Sequence, residues 1–149
     1  MLIREVMTET VVTAPPERSV REIAEMMRER NVGSVVLIEE QRPVGFLTDR
    51  DLTVSVLADG RDLGDHAADH ASTPVITAKA EMQVEEAAEL MVRHGVRRLV
   101  IVDGERLIGI LTLDDIAART GDHELASQLS ARVTRAVMPD FFFHERGDH

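Results

Sequence analysis

The sequence predicts a mixed α+β fold: two β-α-β-β-α units packed about a pseudo-two-fold axis, with an added C-terminal helix and tail. Three observations predict it. The chain aligns with itself at an offset of sixty-four residues, 11–52 on 75–116 without a gap, and roughly 16 of those 42 positions are identical. Short apolar runs bounded by turn residues alternate with stretches whose apolar residues recur three and four apart. The motif "GFLTDRD" at Gly45–Asp51 returns as "GILTLDD" at Gly109–Asp115, with Gly, Leu, Thr and Asp kept in place. A unit of this length occurring only twice is expected to pair with its copy, neither being stable alone. The boundaries read as 1–62 for the first unit, 63–121 for the second and 122–149 for the C-terminal extension.

In the first unit "TVVTA" is a short β-branched run. After the Pro15-Pro16 breaker comes a helix whose apolar positions are Val20, Ile23, Ala24 and Met27, opened by a Ser19/Glu22 capping box. "SVVLIEE" and "PVGFL" then read as a β-hairpin. In the second unit Asp103-Gly104 supplies the turn dipeptide between "LVIV" and "LIGIL". Each unit closes with a second helix, from Asp49 to about Leu57 and from Leu113 to about Arg119. Apolar runs without charge at their centres suit sheets covered on both faces. After the second unit, Leu125, Leu129, Val133 and Val137 form one apolar stripe, with Asp122 as cap and Pro139 as stop.

Composition limits the function. At 149 residues a well-buried core is available without a cofactor to hold it. The absence of cysteine removes disulfides, thiolate metal sites and cysteine nucleophiles, and suits a reducing compartment; a cytoplasmic protein is expected. Charges at Arg4, Glu5 and Glu9 are incompatible with a secretory signal, and no window approaches eighteen uncharged apolar residues, so a soluble protein is expected, with no membrane partner. A net charge of −10 repels polyanions at long range, and four Phe with no Tyr or Trp leave little for base stacking, so nucleic acid is not an expected partner. Neither a Walker Gly-x-x-x-x-Gly-Lys nor a Gly-x-Ser-x-Gly occurs, and no catalytic role is expected.

The repeated Thr-x-x-Asp places Thr48 and Thr112 where a strand ends and a helix begins, with Asp51 and Asp115 three residues on. Two readings fit. In one, Thr and Asp form a capping box. In the other, a helix start presents free N–H groups to a phosphate while the carboxylate accepts from a ribose diol.

The tandem pattern resembles the CBS (cystathionine-β-synthase) domain pair, or Bateman module, over residues 3 to 120. "RNVGSVVLIEE…PVGFLTDRDL", "RHGVRRLVIVDGERLIGILTLDDI" and the opening "EVMT" carry the resemblance. It implies two clefts for an adenine nucleotide such as AMP, ATP, NAD(H) or S-adenosylmethionine, the Asp on the ribose and the Thr near phosphate. Carried over by position, the stronger cleft combines Thr48 and Asp51 with Val75 and Ile76 at the adenine edge and with Arg97 and Arg98 on phosphate. The weaker combines Thr112 and Asp115 with Val11 and Val12, and with Gly33 and Ser34 where a basic residue is often found. The resemblance further implies a homodimer that regulates a separate protein; a ligand-free oligomerisation scaffold is the alternative.

His66 and His70 stand four apart, a spacing that on a helix could recruit zinc with Asp65 or Asp69. The segment reads instead as a solvated linker, with no metal site expected. His94 reads as a helix-end residue favoured by the dipole. Phe141, Phe142 and Phe143 concentrate apolar area in the tail, as a self-docked strap or a dimer contact.

Overall fold

Each repeat folds into one three-stranded sheet with the same strand order and the same register. The structure, a computed structural model, describes residues 1–137. Pro139 and the Phe141–Phe143 cluster lie outside the described residues. The chain runs α1 (Ile3–Val6), β1 (Thr13–Ala14), α2 (Val20–Arg30), β2 (Ser34–Glu39), β3 (Arg42–Thr48) and α3 (Asp49–Asp51), which continues in π-helical form through Leu52–Ala58. A 3-10 turn at Ala67–Asp69 leads to β4 (Thr77–Lys79), α4 (Val84–His94), β5 (Arg98–Asp103), β6 (Arg106–Thr112), α5 (Leu113–Arg119) and α6 (His123–Val137). The sheets are ordered β1-β2-β3 and β4-β5-β6.

The register repeats at the offset read from the sequence. Thr13 faces Val36 and Thr77 faces Val100 in the parallel pairs; Ser34 faces Thr48 and Arg98 faces Thr112 in the antiparallel ones. Both hairpins carry a bulge at the same place, after Leu37 and after Ile101. Their turns differ: Glu40 and Gln41 both take positive φ in the first, whereas the second turns through Gly104 at φ 62. The Asp103-Gly104 signal is therefore displaced by one residue, since Asp103 still belongs to β5.

The two halves exchange their leading segments. Thr8 bridges Ile110 while Ser72 bridges Phe46, and Leu2 bridges Gln83 while His66 bridges Ser19. In each pair of bridges both residues shift by the repeat offset and change halves, which is the signature of an isologous two-fold contact. Consequently Ile3, Val6 and Met7 are buried in the core of the second half, and Ala67 in that of the first. Between the sheets Val36, Val100 and Val102 form a third apolar layer, with Val11, Phe46 and Val75 against it.

The 66–72 stretch is thus no solvated linker. Ala67 and Ala68 donate backbone N–H groups to Arg18 and Pro16, and Ala67 is fully buried. It is the second copy of the N-terminal leader, and small residues let it lie close against the sheet.

Local chemistry explains the helix ends. Ser19 Oγ accepts from the Glu22 N–H at 3.1 Å, but Glu22 answers through the Ser19 hydroxyl, so only half of the expected box forms. Asn31 and Gly95 close α2 and α4 in the left-handed conformation, which Gly and Asn adopt at least cost. The helix expected from Asp49 to Leu57 departs from α form after Asp51. Its β-branched Thr53 and Val54 stand where α5 has Ala117 and Ala118, and they resist regular helix more strongly. Helix α6 begins with Asp122 Oδ1 accepting from the Leu125 N–H and buries Leu129 and Val133 on the second half.

Candidate functional site

Thr48 and Asp51 lie on one wall of a cleft of about 890 Å³, and Val75, Ile76, Arg97 and Arg98 on the other. The six residues of the expected stronger cleft are therefore brought together. Strand β3 delivers Thr48 to the helix start, and the cis peptide at Thr73-Pro74 precedes Val75 and Ile76 on the approach to β4. Arg97 and Arg98 sit where the chain leaves α4 for β5.

Both Thr-x-x-Asp motifs form complete capping boxes. Thr48 N–H donates to Asp51 Oδ2 at 2.8 Å and Asp51 N–H to Thr48 Oγ1 at 3.2 Å. In the second motif Thr112 N–H donates to Asp115 Oδ2 and Asp115 N–H to Thr112 Oγ1, both at 3.0 Å. The free N–H groups expected at the first helix start are not there. Asp49 N–H donates to the Gly33 carbonyl and Arg50 N–H to Asp49 Oδ1, so local acceptors take up every N–H from Thr48 to Asp51. What the first motif leaves over is the second carboxylate oxygen of Asp51.

The positive charge at this cleft comes from side chains. Arg50, Arg97 and Arg98 all line it, and none of them forms an ion pair among the described residues. Arg97 is exposed and makes one long contact, Nη2 to Thr134 Oγ1 at 3.5 Å. Arg98 is half-buried, and its Nη2 lies 3.4 Å from where a Cβ on Gly33 would stand.

Sequence reasoning missed several lining residues. Arg50 lies inside the repeated motif, but the copies differ there. His94, read only as a helix-end residue, also borders the cleft. Ser72 is found by extending the repeat back to Thr8. Ala136 of α6 lies outside the repeat and carries no signal at all.

The second motif is differently surrounded. Thr8 Oγ1 donates to Asp115 Oδ1 at 3.2 Å, and Arg119 Nη2 stands 4.0 Å from the same oxygen. Arg119 also donates to the Met7 and Val6 carbonyls. Val12 packs against the core of the first half, Val11 between the sheets, and Ser34 opens β2. The Asp115 carboxylate thus has protein partners on both oxygens.

His66 and His70 do not share a helical face, because a single 3-10 turn separates them. His66 is exposed. His70 is buried, its Nδ1 2.6 Å from Ser55 Oγ and its Nε2 2.9 Å from Asp65 Oδ2. Among the described residues no group of three or more His, Asp or Glu side chains is placed to hold a metal ion, and no helix is long and apolar enough to cross a membrane.

The model of the CBS domain matches this sequence twice, at residues 3–57 and 67–120. The chain belongs to the CBS-domain family. It is 33% identical over 132 residues to the CBS domain-containing protein YhcV of Bacillus subtilis, covering 89% of this chain and 94% of that protein. The CBS domain protein PAE2072 from Pyrobaculum aerophilum, solved in complex with AMP, is 28% identical, with a TM-score of 0.75 over 88% of this chain and 99% of that one. Hypoxic Response Protein I, solved with two coordinated zinc ions, is 30% identical, with a TM-score of 0.72 over 78% of this chain and 97% of that one. The CBS match begins its second segment at the buried Ala67, where the exchanged leader enters the core of the first half.

Proposed function

We propose that this CBS pair is a non-catalytic regulatory module that binds an adenine nucleotide in the cleft between its halves and passes the signal to a separate protein. One observation carries the reading: the six residues to which the family resemblance gives ligand contact line one cleft, with hydroxyl and carboxylate on one side and guanidinium groups on the other. The remaining oxygen of Asp51 suits a ribose diol, Val75 and Ile76 offer apolar area to a base, and the arginines suit phosphate. The AMP complex of the Pyrobaculum relative supports the same ligand class.

Because each cleft wall comes from a different half, bound ligand favours one arrangement of the halves over others, and a ligand shifts only an equilibrium for which it has differential affinity. A homodimer is the expected working form. The second cleft is the weaker, since Gly33 and Ser34 replace its arginines and Asp115 is already engaged.

A thermal-unfolding panel of AMP, ATP, NAD(H) and S-adenosylmethionine tests the reading. A ligand present at a hundred times its dissociation constant adds about 2.7 kcal/mol of stability. Silence toward all of them returns the module to a ligand-free oligomerisation scaffold in which Thr-x-x-Asp only caps helices.

A further inference from the structure

The cleft's charge is unusual for this protein. The chain as a whole carries −10, yet three arginines without ion pairs among the described residues converge on one cavity. The repeat offers an internal control. At the corresponding positions around the second motif, Arg50 becomes Asp114, Arg97 becomes Gly33 and Arg98 becomes Ser34. Arg30, in the place of His94, supplies one cation in return. Counting Asp49 and Asp51 against the three arginines leaves the first cleft at +1. Asp114 and Asp115 against Arg30 leave the second set at −1.

Placement adds to the count. Arg50 stands on the helix start beside Thr48, whereas Arg97 and Arg98 stand on the opposite wall at the start of β5. A chain of two or three phosphates brings more negative charge to these three cations than a single phosphate does. The volume of about 890 Å³ admits such a ligand. Since local acceptors already hold the backbone N–H groups at the helix start, phosphate recognition there falls to side chains, with the three arginines supplying the positive charge.

We infer that the first cleft selects a nucleoside di- or triphosphate over a monophosphate, and rejects the cationic sulfonium of S-adenosylmethionine. The inference rests on the adenine-nucleotide reading above for the base and ribose, and on the three arginines for the phosphate chain.

Isothermal titration calorimetry of the full chain in magnesium-free buffer tests it with ATP, ADP, AMP, adenosine, S-adenosylmethionine and inorganic tripolyphosphate. ATP and ADP are expected to bind at least about tenfold more tightly than AMP, and adenosine and S-adenosylmethionine more weakly than AMP. The gap between ATP and adenosine narrows as salt rises, since the screening length falls from about 10 Å at 0.1 M to about 3 Å at 1 M. Arg50→Ala and Arg97→Ala each weaken ATP about tenfold and leave adenosine unchanged; both side chains are exposed, and unchanged circular dichroism verifies folding. AMP, adenosine or S-adenosylmethionine binding as tightly as ATP overturns the inference and leaves the adenine reading standing. Binding of tripolyphosphate but of no adenine compound overturns the adenine reading and leaves polyphosphate selection standing. Failure of all six ligands to bind overturns both.

Discussion

Thr8 donates its hydroxyl proton to Asp115 Oδ1 at 3.2 Å, whereas Ser72, its counterpart in the repeat, makes no hydrogen bond to Asp51 among the described residues. The contact joins the leader of one half to the motif of the other. Arg119 reinforces it from α5, and its counterpart is Ser55, which turns instead to His70. Two motifs with the same capping geometry thus differ in whether their outer carboxylate oxygen is engaged.

This asymmetry separates stability from binding. Asp51→Ala and Asp115→Ala each remove the carboxylate that reaches back to the Thr N–H, so each is expected to cost about 0.5–2 kcal/mol in urea unfolding, Asp115→Ala the more because it also deprives Thr8 and Arg119 of their partner. Only Asp51→Ala should also weaken nucleotide binding, by tenfold or more in titration calorimetry. Equal loss of affinity in both variants would contradict the assignment of the first cleft as the stronger.

The crossing of the leaders makes a second prediction. A Cβ on Gly109 would lie 2.8 Å from Met7 Sδ and 3.0 Å from the Thr8 carbonyl oxygen, a backbone atom with little room to move. On Gly45, its counterpart, the contacts are 3.2 Å to Ala71 Cβ and 3.2 Å to Leu37 Cδ1. Gly109→Ala is therefore expected to cost about 1–3 kcal/mol and Gly45→Ala less, as measured by chemical denaturation. The reverse order would mean that the Met7–Thr8 crossing is looser than the Ala71 one.

The repeat made most of the fold legible, because a fixed offset transmits strand order, register and bulge position together. It failed where the copies diverge. Leu2–Val6 and His66–His70 share no residue, so their equivalence as exchanged leaders was hidden, and an interior segment read as linker. The cleft residues on the motif and at the strand starts followed from the family resemblance. Arg50 and His94 escaped because neither is kept between copies, and Ala136 because α6 stands outside the repeat. The state of the helix N–H groups was also beyond the sequence: Thr-x-x-Asp at this spacing fits capping and ligand binding alike, and in the structure one oxygen of Asp51 completes the capping box.

His70 tests the reading of the interior segment. Its ring joins Ser55 on the π-helical stretch to Asp65 ahead of the 3-10 turn, with Arg61 Nη2 3.5 Å from the same Asp65 oxygen. His70→Ala leaves the half-buried Ser55 hydroxyl and Asp65 carboxylate short of a partner, for an expected loss of about 1–3 kcal/mol. Chelation of the wild-type protein with EDTA should leave its unfolding temperature unchanged. A fall on chelation, restored by zinc, would reinstate a metal role for His66 and His70.

Helix α6 supplies a prediction with a pH dependence. Arg132 reaches Glu89 of α4 through both guanidinium nitrogens, at 2.8 and 3.2 Å, tying the cleft-lining helix to the second half. The hydrogen bond from Arg132, followed by its charge, holds the Glu89 carboxyl below its ordinary value of 4.5. A folded-state value below the unfolded one means that the unfolded chain binds the proton more readily, so the pair's contribution is present above the unfolded value and is lost as pH falls through the folded one. The wild type should therefore unfold at a higher temperature than Glu89→Gln at pH 7, and the difference should shrink below pH 4.5 and close in stronger acid. Because both side chains are about half exposed, raising salt to about 1 M should shrink the neutral-pH difference as well. A difference that persists unchanged into strong acid would show that Gln at this position acts through packing on α6 and not through the charge of the pair.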